Sequence, residues 1–329
     1  MKRTALAAAV LAAIATSSAA HAEEAASAPS GGIFALENFT GSMALTTDYR
    51  NRGISNSDGP AIQGGITWSY NGMFVGVWGS NTEFSDSNIE LDYNIGYGWQ
   101  MYGLNFVVQG IYYHYPGEQS DRSQGLDPPG FDPTLSGGNS TTFPQPLPGL
   151  FSNGGQPGLD QPYDTEIADI NADYVEFNVG ITKTFDMPLS PTLGFNYHFS
   201  PDYFGDDGDS HHFGGSLAIT LPNGLSPYMK GGHQTVEGDE FSAYFGTPDG
   251  YHWEYFQVGA AYAVLGFTLD LSWVWVTPGG SCGAPTTELC EFNGGFKTFY
   301  NDYNYSTDGD TSYKDLTNST FVFTVSRTF

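Results

Sequence analysis

Along most of the chain, large apolar residues alternate one by one with small or polar residues. The cleanest stretch places Ile89, Leu91, Tyr93, Ile95, Tyr97 and Trp99 on one parity and Glu90, Asp92, Asn94, Gly96 and Gly98 on the other. Successive side chains of a strand point to opposite faces, so this period predicts strands with one greasy and one wetter face. The same pattern predicts strands over about 39–49, 61–70, 73–81, 104–115, 173–185, 192–199, 212–221, 227–236, 251–263 and 267–276. A last strand runs over about 321–329, with Phe321, Phe323, Val325 and Phe329 against Thr324, Ser326 and Thr328. Asn71-Gly72 and Pro222-Asn223-Gly224 are turn signals between neighbouring strands.

These twelve strands are joined by connections of two kinds. Those after even-numbered strands are short: 71–72, about 101–103, 186–190, 222–225 and 264–265. Those after odd-numbered strands include 50–60, 116–170, 237–250 and 278–316. Short turns at one end and long loops at the other predict an all-β, antiparallel transmembrane β-barrel, with the turns periplasmic and the loops extracellular. A soluble sandwich gives no reason for the asymmetry to persist along the whole chain.

The amino terminus reads as a secretory signal over 1–22. Lys2 and Arg3 precede an apolar run from Ala5 to Ala15, and Ala20-His21-Ala22 supplies a cleavage site after Ala22. Residues 23–38 read as a flexible lead-in that opens Glu-Glu-Ala-Ala-Ser-Ala-Pro-Ser-Gly-Gly, and 39–329 as the barrel. No later stretch approaches the roughly 18 apolar residues of a membrane helix, so a membrane location requires a closed barrel.

Composition agrees: 43 Gly, 21 Tyr and 24 Phe stand beside only 10 Lys and Arg together, which suits aromatic girdles and close strand packing. The formal net charge is -26, and loss of Lys2 and Arg3 with the signal takes it to -28. That balance excludes nucleic acid as a partner, since phosphate contacts draw on Lys and Arg. Acidic chains are often disordered, but the sustained alternation argues otherwise here. The two cysteines, Cys282 and Cys290, read in an exported protein as a disulfide closing one loop, with a metal pair as the weaker alternative.

The closing strand, ending on Phe329, resembles the last strand of bacterial outer-membrane barrels, where the terminal aromatic is read by the assembly machinery. Several segments resemble the TorF family, exported proteobacterial proteins described as outer-membrane porins of poorly known function. They are Leu45-Thr46-Thr47-Asp48-Tyr49 with Arg52-Gly53-Ile54-Ser55 and Pro60-Ala61-Ile62-Gln63-Gly64-Gly65, then Gly76-Val77-Trp78-Gly79-Ser80-Asn81. Ile111-Tyr112-Tyr113 with Tyr115-Pro116-Gly117, Ser200-Pro201-Asp202-Tyr203-Phe204-Gly205 and Val325-Ser326-Arg327-Thr328-Phe329 follow in the same order. The resemblance implies the fold and an outer-membrane location firmly and a porin function weakly.

If the apolar parity faces lipid, the other lines a lumen. Its candidate pore-lining residues are Asp48, Glu90, Asp92, Glu176 and Asp270, with Asn94, Asn178, Asn196 and Gln257, and the basic Arg50 and Lys230. Carboxylate rings favour cations, which predicts a passive, cation-preferring pore for small solutes. The same groups could instead form a structural network that fills a narrow barrel without conducting. The acidic runs at 206–209, 237–240 and 308–310 lack the spaced pattern of a calcium loop and read as solvated surface.

A barrel hydrolase is the third reading. His198 and His212 lie near Ser200 and Ser216, but His212-Phe213-Gly214-Gly215-Ser216 does not have the His-x-Ser-x-Gly spacing of a barrel lipase. These residues read as lumenal polar groups, and a weak metal site of the two histidines with Asp202 as an alternative. The sequence therefore predicts no enzyme and no cofactor. Its expected partners are membrane lipid, small solutes and the assembly machinery.

Overall fold

The computed structural model describes residues 32–57, 59–82, 87–116, 172–204, 207–238, 250–280, 303–305, 311–313 and 318–329. Twelve strands close into one antiparallel barrel. They are β1 (Phe39–Thr46), β2 (Ala61–Tyr70), β3 (Met73–Asn81), β4 (Ile89–Met101), β5 (Leu104–His114) and β6 (Tyr174–Thr184). The circuit continues through β7 (Thr192–Ser200), β8 (Ser210–Ala218), β9 (Leu225–Val236), β10 (Tyr251–Val264), β11 (Phe267–Gly280) and β12 (Thr320–Thr328). Each strand pairs with the next in sequence, and β12 returns to β1. Closure is tight: Gly41 and Phe329 exchange both backbone hydrogen bonds, at 2.8 and 2.9 Å, and the Thr324 hydroxyl donates to Thr46 Oγ1 at 2.9 Å.

The turns at one end are short. At 71–72 both residues have positive φ, 50° and 86°, the geometry of a two-residue turn that follows strand twist. Tyr102-Gly103 and Leu265-Gly266 adopt the same pair of conformations, so a bulky residue occupies the first position in each. At the opposite end the connections run over 47–60, 82–88, 115–173, 201–209, 237–250 and 281–319.

The register sorts the side chains as the alternation predicts. Glu90 lies opposite Ser80, and Asp92 between Trp78 and Tyr113, all on the inner face. Leu45, Ile62, Ile95, Phe177, Phe195 and Phe321 are exposed on the outer face, while Glu90, Glu176 and Gln234 are fully buried inside. This is the reverse of a water-soluble barrel, whose apolar side chains turn inward.

Three departures from the sequence reading matter. β1 ends at Thr46, not near 49, because the chain leaves the wall there. β8 runs over Ser210–Ala218 instead of 212–221, with His212 opposite His198 as neighbouring strands place it. The described end of the lead-in, 32–38, is not a loose segment. It holds a 3-10 turn at Leu36–Asn38, with Asn38 Nδ2 donating to the carbonyls of Gly32 and Ile33 and Trp68 Nε1 donating to Ile33. The signal at 1–22, most of the loops at 116–170 and 278–316, and Cys282 and Cys290 lie outside the described residues.

Candidate lumenal site

After Thr46 the chain builds a small hairpin, Arg50–Asn51 paired with Ile54–Ser55. Its tip residues, Arg52 and Gly53, have φ of 48° and 90°. Asp48 and Arg50, expected to line a pore, are spent inside this hairpin. Asp48 Oδ2 accepts from Arg50 Nε at 2.6 Å and Oδ1 from the Ser55 hydroxyl at 2.5 Å, and Arg50 Nη1 donates to the Gly53 carbonyl at 2.8 Å. Tyr49 N–H and Asn56 N–H close its base onto Ser57 Oγ and the Tyr49 carbonyl.

The hairpin tip contacts the inner wall of the barrel. Arg52 Nη2 donates to Glu176 Oε2 on β6 at 2.6 Å, and Nη1 to Gln234 Oε1 on β9 at 2.8 Å. Trp253 Nε1 on β10 donates to the Arg52 carbonyl at 3.0 Å. Gly53 fits only because it lacks a side chain: a Cβ there would stand 2.6 Å from Tyr255 Cβ and Val276 Cγ2. Burial opposes the charge on Arg52, and the Glu176 carboxylate outweighs that penalty, so its pKa stands above the ordinary guanidinium value.

A second anchor lies on β4. Glu90 accepts from the Tyr49 hydroxyl at 2.7 Å, from Asn56 Nδ2 at 3.3 Å and from the Tyr115 hydroxyl at 3.3 Å. Burial first, then the Glu90 charge, push the Tyr49 phenol well up, so it acts as a neutral donor. Asp92 is buried below Glu90, and its Oδ1 has no hydrogen-bond partner.

Aromatic packing fills the mouth around the hairpin. Tyr113 stacks on Tyr174 at 4.3 Å between ring centres, Tyr174 meets Tyr203 at 4.9 Å, and Tyr115 meets Phe204 edge-on at 5.9 Å. Beside Arg52, Asn56, Tyr203 and Trp253 the described residues leave a void of about 20 Å³, room for a single water. Towards the short-turn end the inward polar residues are less tightly enclosed: Asn94, Asn196, Lys230, Gln257 and Asp270 are half-buried. There the Tyr228 hydroxyl donates to Asp270 Oδ1 at 3.0 Å and Gln257 Nε2 donates to Tyr228 and Ser272.

Of the expected pore-lining set, Glu90, Asp92 and Glu176 face inward and are buried; Glu90 and Glu176 accept hydrogen bonds from the hairpin segment. The site residues that sequence reasoning missed are Arg52, Gln234 and Trp253. Arg52 falls in a stretch without alternation, where no face could be assigned, and its one signal is the following Gly, a hairpin-tip residue.

His198 and His212 meet edge-on at 5.2 Å. His198 Nδ1 lies 3.3 Å from Glu176 Oε2, and His212 Nε2 reaches the Tyr255 hydroxyl at 3.2 Å. The Ser200 hydroxyl donates to the Asp202 carbonyl at 2.8 Å, not to a histidine. Among the described residues no three His, Cys, Asp or Glu side chains converge as metal ligands. Phe329 closes the barrel seam with its ring largely exposed.

Residues 30–126 match a family described as a bacterial protein of unknown function, Gcw_chp. No curated protein matches the chain. Among solved structures, the chain is similar to OmpT, an outer membrane protein of Vibrio cholerae, at 8% identity and a TM-score of 0.38, covering 88% of this chain and 98% of that one. It is similar to the NanC porin at 8% and 0.38, covering 86% and 97%, and to OccD3 of Pseudomonas aeruginosa at 10% and 0.36, covering 89% and 65%. Likeness at this level assigns no activity, and the barrel stands on its own strand order.

Proposed function

We propose that this protein is a bacterial outer-membrane channel for small solutes, held closed in this conformation by the Arg52 hairpin. The carrying observation is the pairing of an apolar outer wall with a charged inner one, blocked at the loop end by a segment attached through polar contacts. An apolar wall around a polar interior suits a barrel in lipid. In this reading the chain is exported, cleaved after Ala22 and inserted through its Phe329-ended strand, with its long loops outside and no catalytic role. When the hairpin leaves, Glu90, Asp92 and Glu176 become the lining of the narrow zone, and their charge favours cations over anions.

Swelling of proteoliposomes in a small neutral sugar tests the reading. Swelling should be slow with the native protein and fast with Arg52→Ala. A folded, heat-modifiable barrel that gives no swelling in either form contradicts it. The complete burial of the Arg52–Glu176 pair favours a second reading, a non-conducting barrel that displays its loops, and that null result would establish it.

A further inference from the structure

We infer that Glu176, His198, His212 and Gln234 form a binding site for organic cations bearing a guanidinium or amidinium group, occupied here by the protein's own Arg52. The inference deepens the channel reading and depends on it only for the route by which a solute arrives. The four side chains come from four consecutive strands, β6 to β9. His198, His212 and Gln234 stand directly opposite one another across the wall, and Glu176 follows one inward position nearer the mouth. All four are at most 4% exposed.

Arg52 satisfies this site incompletely. It uses one nitrogen for Glu176 Oε2 and one for Gln234 Oε1. Glu176 Oε1, Gln234 Nε2 and His212 Nδ1 remain buried without a hydrogen-bond partner, while His198 Nδ1 faces the already occupied Glu176 Oε2 at 3.3 Å. Such groups are rare in folded proteins and call for an explanation. Carboxylates prefer two parallel N–H···O bonds from a guanidinium, yet a guanidinium tethered to a hairpin tip addresses this one through a single oxygen. A freely diffusing guanidinium can turn to engage both Glu176 oxygens and still donate to Gln234 Oε1. Among the described residues the site offers one carboxylate and no converging set of three metal ligands, and its charge disfavours anions. A planar, donor-rich cation is what it already holds.

The test uses the full-length Arg52→Ala protein, refolded in detergent and checked by heat-modifiability, titrated calorimetrically with methylguanidinium and with methylammonium. Arg52→Ala should bind methylguanidinium at least tenfold more tightly than the native protein does and tenfold more tightly than it binds methylammonium. Adding Glu176→Gln should abolish that binding. Equal binding of the two cations, or binding that survives Glu176→Gln, overturns the site. If Arg52→Ala refolds poorly, rescue of refolding by methylguanidinium but not by methylammonium is the supporting result, and rescue by neither or by both is the contrary one. Arg52→Ala that binds methylguanidinium yet passes no current removes the channel reading and keeps the site. Arg52→Ala that conducts without binding methylguanidinium selectively does the reverse.

Discussion

The indole Nε1 of Trp253 donates to the carbonyl oxygen of Arg52 across 3.0 Å, joining two residues 201 positions apart in the chain. The bond fixes the backbone of the hairpin tip, while the Arg52 side chain fixes its charge. A ring without the N–H leaves that carbonyl buried and unpaired, a cost of about 1–3 kcal/mol. Trp253→Phe should therefore loosen the hairpin and raise conductance while the barrel stays heat-modifiable. A variant that loses thermal stability with unchanged current would show that the bond serves the wall and not the closure.

Removing one member of the Arg52–Glu176 pair strands a buried charge or its partner. Breaking such a pair costs roughly 3–5 kcal/mol, whereas replacing both members with uncharged groups costs less. Arg52→Leu should lower the midpoint of urea unfolding clearly, and Arg52→Leu with Glu176→Gln should recover much of the loss. A double-mutant cycle with no coupling energy would contradict the pairing.

Gly53 occupies a left-handed conformation with a wall of side chains against it. Gly53→Val meets both backbone strain and the Tyr255 and Val276 contacts, so the tip should no longer seat. The expected outcome is an open-like current with barrel strands intact by circular dichroism. Native-like current from Gly53→Val would mean that the tip position does not set the closure.

On the proposed channel reading, charge preference belongs to the state in which the hairpin is out. In an Arg52→Ala background, Glu90→Gln, Asp92→Asn and Glu176→Gln together should move the reversal potential in a salt gradient towards zero. An unchanged potential would assign selectivity to other groups, with Asp270 and Lys230 the next candidates among the described residues of the half-buried lumen.

The wall was legible in the sequence because alternation is local. Ile89–Trp99 announces its two faces without knowledge of its neighbours, and Asn71-Gly72 announces its turn. Tyr102-Gly103 and Leu265-Gly266 make the same turn with residues that do not advertise it, and only the strands on either side locate them. Glu90, Asp92 and Glu176 were legible as inward-facing for the same reason. Their partners were not. Tyr49, Arg52 and Asn56 sit in a stretch with no period, and the contacts from Arg52 to Glu176 and Trp253 span 124 and 201 residues, a closure that only the completed barrel brings about. The carboxylates thus read as the lining of a passage, whereas Glu90 and Glu176 are taken up by Tyr49, Asn56 and Arg52 of the hairpin segment.

Single-channel current of the refolded protein in a planar bilayer under a salt gradient, native against Arg52→Ala, tests the central claim most directly. The account predicts rare or brief openings for the native protein and sustained steps with a cation-selective reversal potential for Arg52→Ala. Two folded, heat-modifiable barrels that both pass no current, or that conduct identically, would contradict it.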